Sequence, residues 1–146
     1  MPQPTLHVAT FADLDARALH DLLRLRIDVF VVEQACPYPE LDGRDPEPGT
    51  RHLWLASDGA PVAYLRILAD PNNVARIGRV VVAAKARRAG HAGRLMDEAL
   101  RLVGNQPCVL EAQSHLADFY GRFGFTRTGP EYVEDGIPHV PMRRDG

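Results

Sequence analysis

The sequence predicts a mixed α/β fold in a single domain, residues 1–146, on three observations. Apolar periodicities of two and of about 3.6 residues alternate along the chain, as strands alternating with helices do. The length, 146 residues and 16.1 kDa, suits one domain: a compact fold of that mass leaves about 7,400 Å² accessible of ~23,000 Å² unfolded, enough burial for a core without staples. Apolar residues are 45% and charged residues 25%, the proportions of an ordinary globular chain.

Leu6, Val8 and Thr10 alternate as a short first strand. Asp13 or Thr10 can cap a helix whose apolar stripe is Leu19, Leu22, Leu23, Ile27 and Phe30. Residues 35–50, with four prolines and two glycines, form a long polar loop of the kind that is functional or disordered. Residues 52–57 and 62–68 are strands of a hairpin turning at Asp58-Gly59-Ala60-Pro61. Asp70-Pro71-Asn72-Asn73 breaks the chain before the most strand-like run, 75–83, whose nearly apolar end marks a central strand. Residues 90–103 form a helix with Ala92, Leu95, Met96, Ala99 and Val103 on one face, and Gly104 stops it. Residues 108–112 are a buried strand. Ser114 is placed to cap a helix with Leu116, Phe119, Tyr120 and Phe123 at helical spacing, ended by Gly124. Residues 125–127 and 139–143 close the fold as a strand pair.

Several function classes are disfavoured. No apolar run approaches the ~18 residues of a membrane span, and the first residues lack the basic start and apolar stretch of a signal peptide. Cys36 and Cys108 stand far apart without a CxxC, and the six histidines form no HxxxH or HxH pair, so neither a disulfide framework nor a metal site is expected. A reduced, cytoplasmic protein is the expectation, and nothing in the chain opposes a homodimer. The net charge of −2 does not suit a polycationic nucleic-acid binder, and the arginine-bearing stretch 75–96 has no interleaved aromatic side chain.

The segment richest in chemistry is Arg87-Arg88-Ala89-Gly90-His91-Ala92-Gly93, where a strand turns into a helix. Its glycines let the backbone approach a ligand closely. The free amides of a helix start, with the helix dipole, favour an anion. Arg87, Arg88 and Arg94 add cations suited to phosphate oxygens. The chemistry implied is phosphate or pyrophosphate binding, mostly by main chain, although a plain helix start with solvated arginines has the same pattern. A P-loop is absent, and a Rossmann fingerprint would need its glycines after the first strand.

Arg87-Arg88-Ala89-Gly90-His91-Ala92, followed by Leu95 and Met96, resembles the acetyl-CoA loop (R/Q)-x-x-G-x-(G/A) of the GNAT acetyltransferase family. Residues 118–125 (DFYGRFGF) resemble its second conserved stretch, FYxxxGF. Residues 29–34, Cys36-Pro37-Tyr38, Asp42-Gly43 and residues 134–139 are similar to hallmarks of the ElaA-type subgroup, so the resemblance spans about residues 22–142. It implies one GNAT domain with a central, mostly antiparallel sheet flanked by helices. It further implies transfer of an acetyl group from acetyl-CoA to the amine of a small molecule or peptide, by direct attack in a ternary complex and without a metal. A non-catalytic acyl-CoA sensor on the same fold is the alternative.

The resemblance also implies roles. The amides from Arg88 to Gly93, with Arg87 and Arg94, would hold the pyrophosphate, and Val80, Val81 and Val82 would pair with the pantetheine arm through main chain. An amide near Val80 or Val81 would receive the oxyanion. Tyr120 matches the general-acid tyrosine of many family members, while its spacing also fits the apolar helix face. The base is less marked, because the position near Arg76 where some members carry a glutamate holds no acid. Glu111, alone in an apolar run, and Glu33 are the catalytic candidates, and each could equally pair with an arginine, Glu33 with Arg26. His52 and His139 titrate in the right range as a residue type. Arg26, Tyr38, His52, Arg79, Gln113 and His139 are the candidate acceptor-binding side chains.

The net charge hides a division. From Pro71 to Met96 there are five arginines, one lysine and no acid, which suits polyanionic CoA. From Asp28 to Thr50 six acids face Arg44 alone, which suits a cationic amine or a solvated acidic loop equally well.

Overall fold

The computed structural model describes residues 3–37 and 39–146. Strand β1 (Thr5–Thr10) leads through a 3-10 turn at Phe11–Asp13 to helix α1 (Ala16–Ile27). The cap of α1 is Asp15, whose carboxylate accepts the Ala18 amide at 2.7 Å; Thr10 and Asp13 instead bond one another at 3.1 Å. The end of α1 widens into a π-helical turn, Asp28–Glu33, a distortion frequent at functional sites.

Strands β2 (Arg51–Ser57) and β3 (Ala60–Asp70) form the expected hairpin. Asp58 and Gly59 both take positive φ, +52° and +78°, which matches the twist of the flanking strands. β3 is buried from Val62 to Ile67 and at Leu68, which leaves no solvent-facing alternation there. β4 (Val74–Val82) follows, then helix α2 (His91–Val103), bounded by Gly90 and Gly104 in left-sided conformations of φ +79° and +64°. β5 (Cys108–Gln113) leads to a 3-10 turn at Ser114–Leu116 and the short helix α3 (Ala117–Gly121). Ser114 does not cap it; its hydroxyl oxygen is buried without a hydrogen-bond partner among the described residues.

The chain closes with β6 (Thr126–Arg127), β7 (Tyr132–Glu134) and β8 (Ile137–Arg144). β7 was not expected from the sequence. Its signal was Asp135-Gly136, a two-residue turn with φ +52° and +77° that folds β7 onto β8.

The sheet order is β1-β2-β3-β4-β5-β8-β6, with β7 also on β8, and every pairing is antiparallel except β4 with β5. β4 is the middle strand of that order, as its apolar run predicted. The mixed α/β fold with an open sheet flanked by helices is therefore the one the sequence indicated. Leu95, Met96, Ala99 and Val103 of α2 pack on one face of the sheet against Leu53, Leu65, Ile77 and Leu110. On the other face Leu22, Leu25 and Val29 pack against Tyr64 and Val81.

One irregularity positions the site. Tyr64 faces Val81 and Arg66 faces Gly78, so Arg79 and Val80 together oppose Leu65 as a bulge, with Arg79 at φ +54°. A bulge bends its strand. β4 and β5 consequently pair only at Ala75 with Cys108 and Arg76 with Val109, and beyond that they diverge. The 8,203 Å² of accessible surface exceeds the ~7,400 Å² of a compact chain of this mass, in keeping with an open cleft.

Candidate active site

A cavity of about 650 Å³ fills the divergence of β4 and β5. Such a volume is ordinary for a small-molecule site. Its walls come from the π-turn after α1, from β4 between Ile77 and Val82, from the end of β5, from α3 and from the β7–β8 hairpin. Because β5 has parted from β4, main-chain groups of β4 that point away from β3 face the opening instead of a neighbouring strand. Such an edge can accept an extended ligand as an added strand.

The loop before α2 lies at one end of this cleft. Val80, Val81, Val82, Arg87 and Ala92 line the cavity itself. Arg88, Ala89 and Gly90 form an exposed shoulder, and His91, Gly93 and Arg94 are part-buried beside it. Arg88 and Gly90 both have positive φ, +66° and +79°, a turn that aims successive amides outward. Arg94 N–H bonds the Gly90 carbonyl at 3.1 Å, and the amides before it have no partner one turn back, as at any helix start. Two of the three arginines are already engaged. Arg87 donates both guanidinium nitrogens to Glu33 at 2.6 and 2.8 Å and its Nε to the Val82 carbonyl at 3.1 Å; Arg94 donates to the Pro4 carbonyl at 2.5 Å.

Tyr120 lies at the other side, on α3, 6% exposed and on the cavity wall. Its ring meets Phe119 edge-on at 5.0 Å and Phe125 at 6.4 Å. Its hydroxyl has no hydrogen-bond partner among the described residues, and burial pushes the phenol up to about 12. It is both a member of the apolar helix face and a polar group at the cavity.

The carboxylate candidates are both on the wall, and both have partners. Glu33 is held below the usual carboxylate range by its bidentate contact with Arg87, not by Arg26. Glu111, its side chain well exposed, stands 4.0 Å from Arg76.

Of the expected acceptor contacts, Arg79, Gln113 and His139 line the cavity, and Tyr38 lies outside the described residues. Arg79 sits 3.1 Å from Glu40 with its guanidinium 4.7 Å from the Phe30 ring centre. Arg26 and His52 are not on the wall. Arg26 is 1% exposed and bonds Glu40 and Asp45, each at 2.8 Å. His52 is 2% exposed, bonded to the Tyr64 hydroxyl at 2.6 Å and the Asp45 carbonyl at 3.1 Å, and burial pushes its pKa down. Both are corrections with one cause: a polar side chain in a helix stripe or strand interior was satisfied by the long loop folding over it.

The same loop corrects the reading of the acidic stretch. Glu33 meets Arg87, Glu40 meets Arg26 and Arg79, Asp42 meets Arg66, Asp45 meets Arg26 and Arg66, Glu47 meets Arg44, and Asp28 meets Arg24. Each of the six thus has an arginine within 4.0 Å, and two of them, Glu40 and Asp45, are taken up in buried pairs beneath the loop. The wall also includes Phe30, Gln34, Cys36, His115, Glu134 and Asp135, which were not singled out. Only their place in the subgroup-like stretches could have flagged most of them.

Residues 19–145 match the family model described as an acetyltransferase (GNAT) domain. A UPF0039 protein of Mycobacterium tuberculosis is 54% identical over 138 residues, covering 92% of this chain and 88% of its own. The crystal structure of an acyl-CoA N-acyltransferase from Pseudomonas aeruginosa superposes with a TM-score of 0.90 at 44% identity, covering 96% of this chain and 99% of that one. That of Escherichia coli ElaA superposes with a TM-score of 0.92 at 36% identity, covering 97% and 99%.

Proposed function

The chain belongs to the GNAT acetyltransferase family, and on that premise we propose that it moves an acetyl group from acetyl-CoA to the amine of a small molecule or peptide within a ternary complex. The family's general chemistry is acyl transfer from a CoA thioester. The observation that carries the finer reading is the single cleft between β4 and β5, with an anion-suited helix start at one end and a buried phenol on its wall.

In this reading the amides of Arg88 to Gly93 hold the pyrophosphate, with Arg87, Arg88 and Arg94 as the cations beside it. Val80, Val81 and Val82 offer main chain to the pantetheine arm, and an amide near Val80 or Val81 receives the oxyanion. Holding donor and acceptor together removes much of the entropic barrier. A neutral amine attacks the thioester carbon, the C–N bond forms and the C–S bond breaks. The departing thiolate accepts a hydrogen bond from the Tyr120 hydroxyl, and the proton lost from nitrogen reaches the sulfur through water to give the free thiol. A phenol at about 12 is a weaker acid than a thiol of ordinary pKa ~8.5. Tyr120 therefore acts chiefly by hydrogen-bonding the developing thiolate in surroundings that raise the thiol's own pKa too. Glu33, held in a bidentate pair by Arg87, is a poor recipient of the amine proton.

The test is CoA release from acetyl-CoA with n-butylamine, a diamine and a dipeptide bearing a free N-terminus. Amine-dependent release with formation of the acetamide is the expected result. Tight acetyl-CoA binding with no release for any amine would replace this reading with that of an acyl-CoA sensor.

A further inference from the structure

Resting on that reading, we infer that His139 is the general base, its Nε2 taking the proton from the acceptor's ammonium group. Three features of its surroundings carry this. His139 lies on β8, directly opposite Gln113 of β5 and Tyr132 of β7, and it lines the same cavity as Tyr120 and the β4 edge.

Its tautomer is fixed. Nδ1 is 2.8 Å from the Ile137 carbonyl, and a carbonyl only accepts, so the ring proton sits on Nδ1. Nε2 then carries the lone pair, the state a general base needs.

Its ring is also held. It stacks on Tyr132 with 5.7 Å between ring centres and 20° between planes. A base whose orientation is set by its neighbours needs no reorganisation when substrate arrives. The charged and titratable groups on the elements packed around His139 are Glu111 and Arg76, Tyr132 and Glu134, Asp135, and His115 on the turn after β5. None of them combines a place on the wall with a fixed ring and a lone pair. Glu111 has its side chain well exposed with Arg76 4.0 Å away, and His115 is exposed with no hydrogen bond that would fix its tautomer.

The proton balance closes. Nε2 takes one proton from R–NH3⁺, which leaves R–NH2 to attack as described above. The imidazolium then gives its proton to solvent, so one ammonium and one acetyl thioester become one amide, one thiol and one proton.

The experiment compares two acceptors on the wild type and His139→Gln. n-Butylamine arrives protonated at neutral pH and needs a base; hydroxylamine arrives neutral and does not. His139→Gln is expected to lower kcat/KM for n-butylamine by about 100-fold or more. For hydroxylamine, after subtraction of the uncatalysed reaction, the loss should be under about 10-fold, with acetyl-CoA affinity unchanged. Equal loss for both acceptors would reduce His139 to a structural role, and no loss for either, or transfer of the n-butylamine defect to His115→Gln, would remove it from the reaction. No transfer by the wild type to either acceptor would instead end the acetyltransfer reading, and the base with it. Should the variant not fold, ¹⁵N spectra of the wild-type histidines decide: the inference requires a protonated Nδ1 and a bare Nε2 at His139, and the opposite tautomer overturns it.

Discussion

Tyr120 combines packing with the chemistry proposed for it. Its ring fills the apolar face of α3, while its hydroxyl is left at the cavity without a protein partner. Tyr120→Phe keeps the ring and removes only the oxygen. It should lower kcat about 100-fold and leave acetyl-CoA affinity unaltered, measured by single-turnover kinetics beside equilibrium binding. Turnover at the wild-type level would discard the acid role. Because burial holds the phenol at about 12, Tyr120 itself should add no basic limb to the pH profile below about pH 11. Gly90 gives a complementary case. Its φ of +79° requires a residue at ease in the left-handed region, yet a Cβ there would meet nothing within 4 Å. Gly90→Asp should therefore fold, at a cost of about 1 kcal/mol, while its carboxylate repels the pyrophosphate and abolishes acetyl-CoA binding; unchanged binding in calorimetry would refute the loop assignment. These two positions were legible in the sequence because their motifs are local. The histidine tautomer was not, since it depends on a carbonyl two residues away along a strand whose hairpin partner went unnoticed.

The π-turn after α1 and the loop before α2 are joined by Glu33 and Arg87, one pair bridging 54 positions of sequence. Both side chains are about 40% exposed, so solvent screens the pair and it adds little to stability. In the proposed reading its consequence lies in binding, because Glu33 would compete with phosphate oxygens for the same guanidinium fork. Arg87→Ala should leave the Tm nearly unchanged and weaken acetyl-CoA about 10-fold, whereas Glu33→Gln should bind acetyl-CoA as tightly as the wild type or more so. Weaker binding in Glu33→Gln would mean that the carboxylate orients Arg87 for the cofactor and does not compete for it. Most elements were readable because each depends on its own periodicity and its own turn residues: the Asp58-Gly59 hairpin, the Gly90 and Gly104 bounds of α2, the apolar run of β4. The bulge at Arg79 was not readable. An arginine with φ of +54° contradicts its local preference, and what holds it is tertiary: Glu40 at 3.1 Å and the Phe30 ring beneath its guanidinium.

The near-neutral net charge conceals a buried ionic seam between the long loop and the sheet. Arg26, Glu40, Asp45 and Arg66 are each no more than 6% exposed, and every one is paired. Desolvation offsets much of the attraction in such pairs, so the seam's first effect is to fix where residues 40–45 lie. Breaking it is another matter: Glu40→Ala would leave Arg26, 1% exposed, with Asp45 as its remaining carboxylate beside a void and should cost about 3–5 kcal/mol, read from urea unfolding. The seam also sets the response to acid. Burial alone would raise Asp42, Asp45 and Asp70, but Arg66 brings Asp42 down to about 2, Arg26 and Arg66 lower Asp45, and Arg76 and Arg44 lower Asp70. A carboxylate whose folded pKa lies below its unfolded value contributes stability that is complete above the unfolded value, ~3.9, and lost as pH falls towards the folded one. His52, lowered by burial, acts in the same sense from a higher start, since the unfolded chain takes up its proton first, near pH 6.5. Unfolding free energy should therefore decline in two stages as pH falls, a shallow one below about 6.5 from His52 and a steeper one below about 4 from the aspartates. Urea titrations from pH 8 to pH 3 measure both stages. Asp42→Asn, less stable at neutral pH, should flatten the lower stage and leave the upper one intact, and a stability that stays level down to pH 3 would show that the seam does not couple loop docking to protonation.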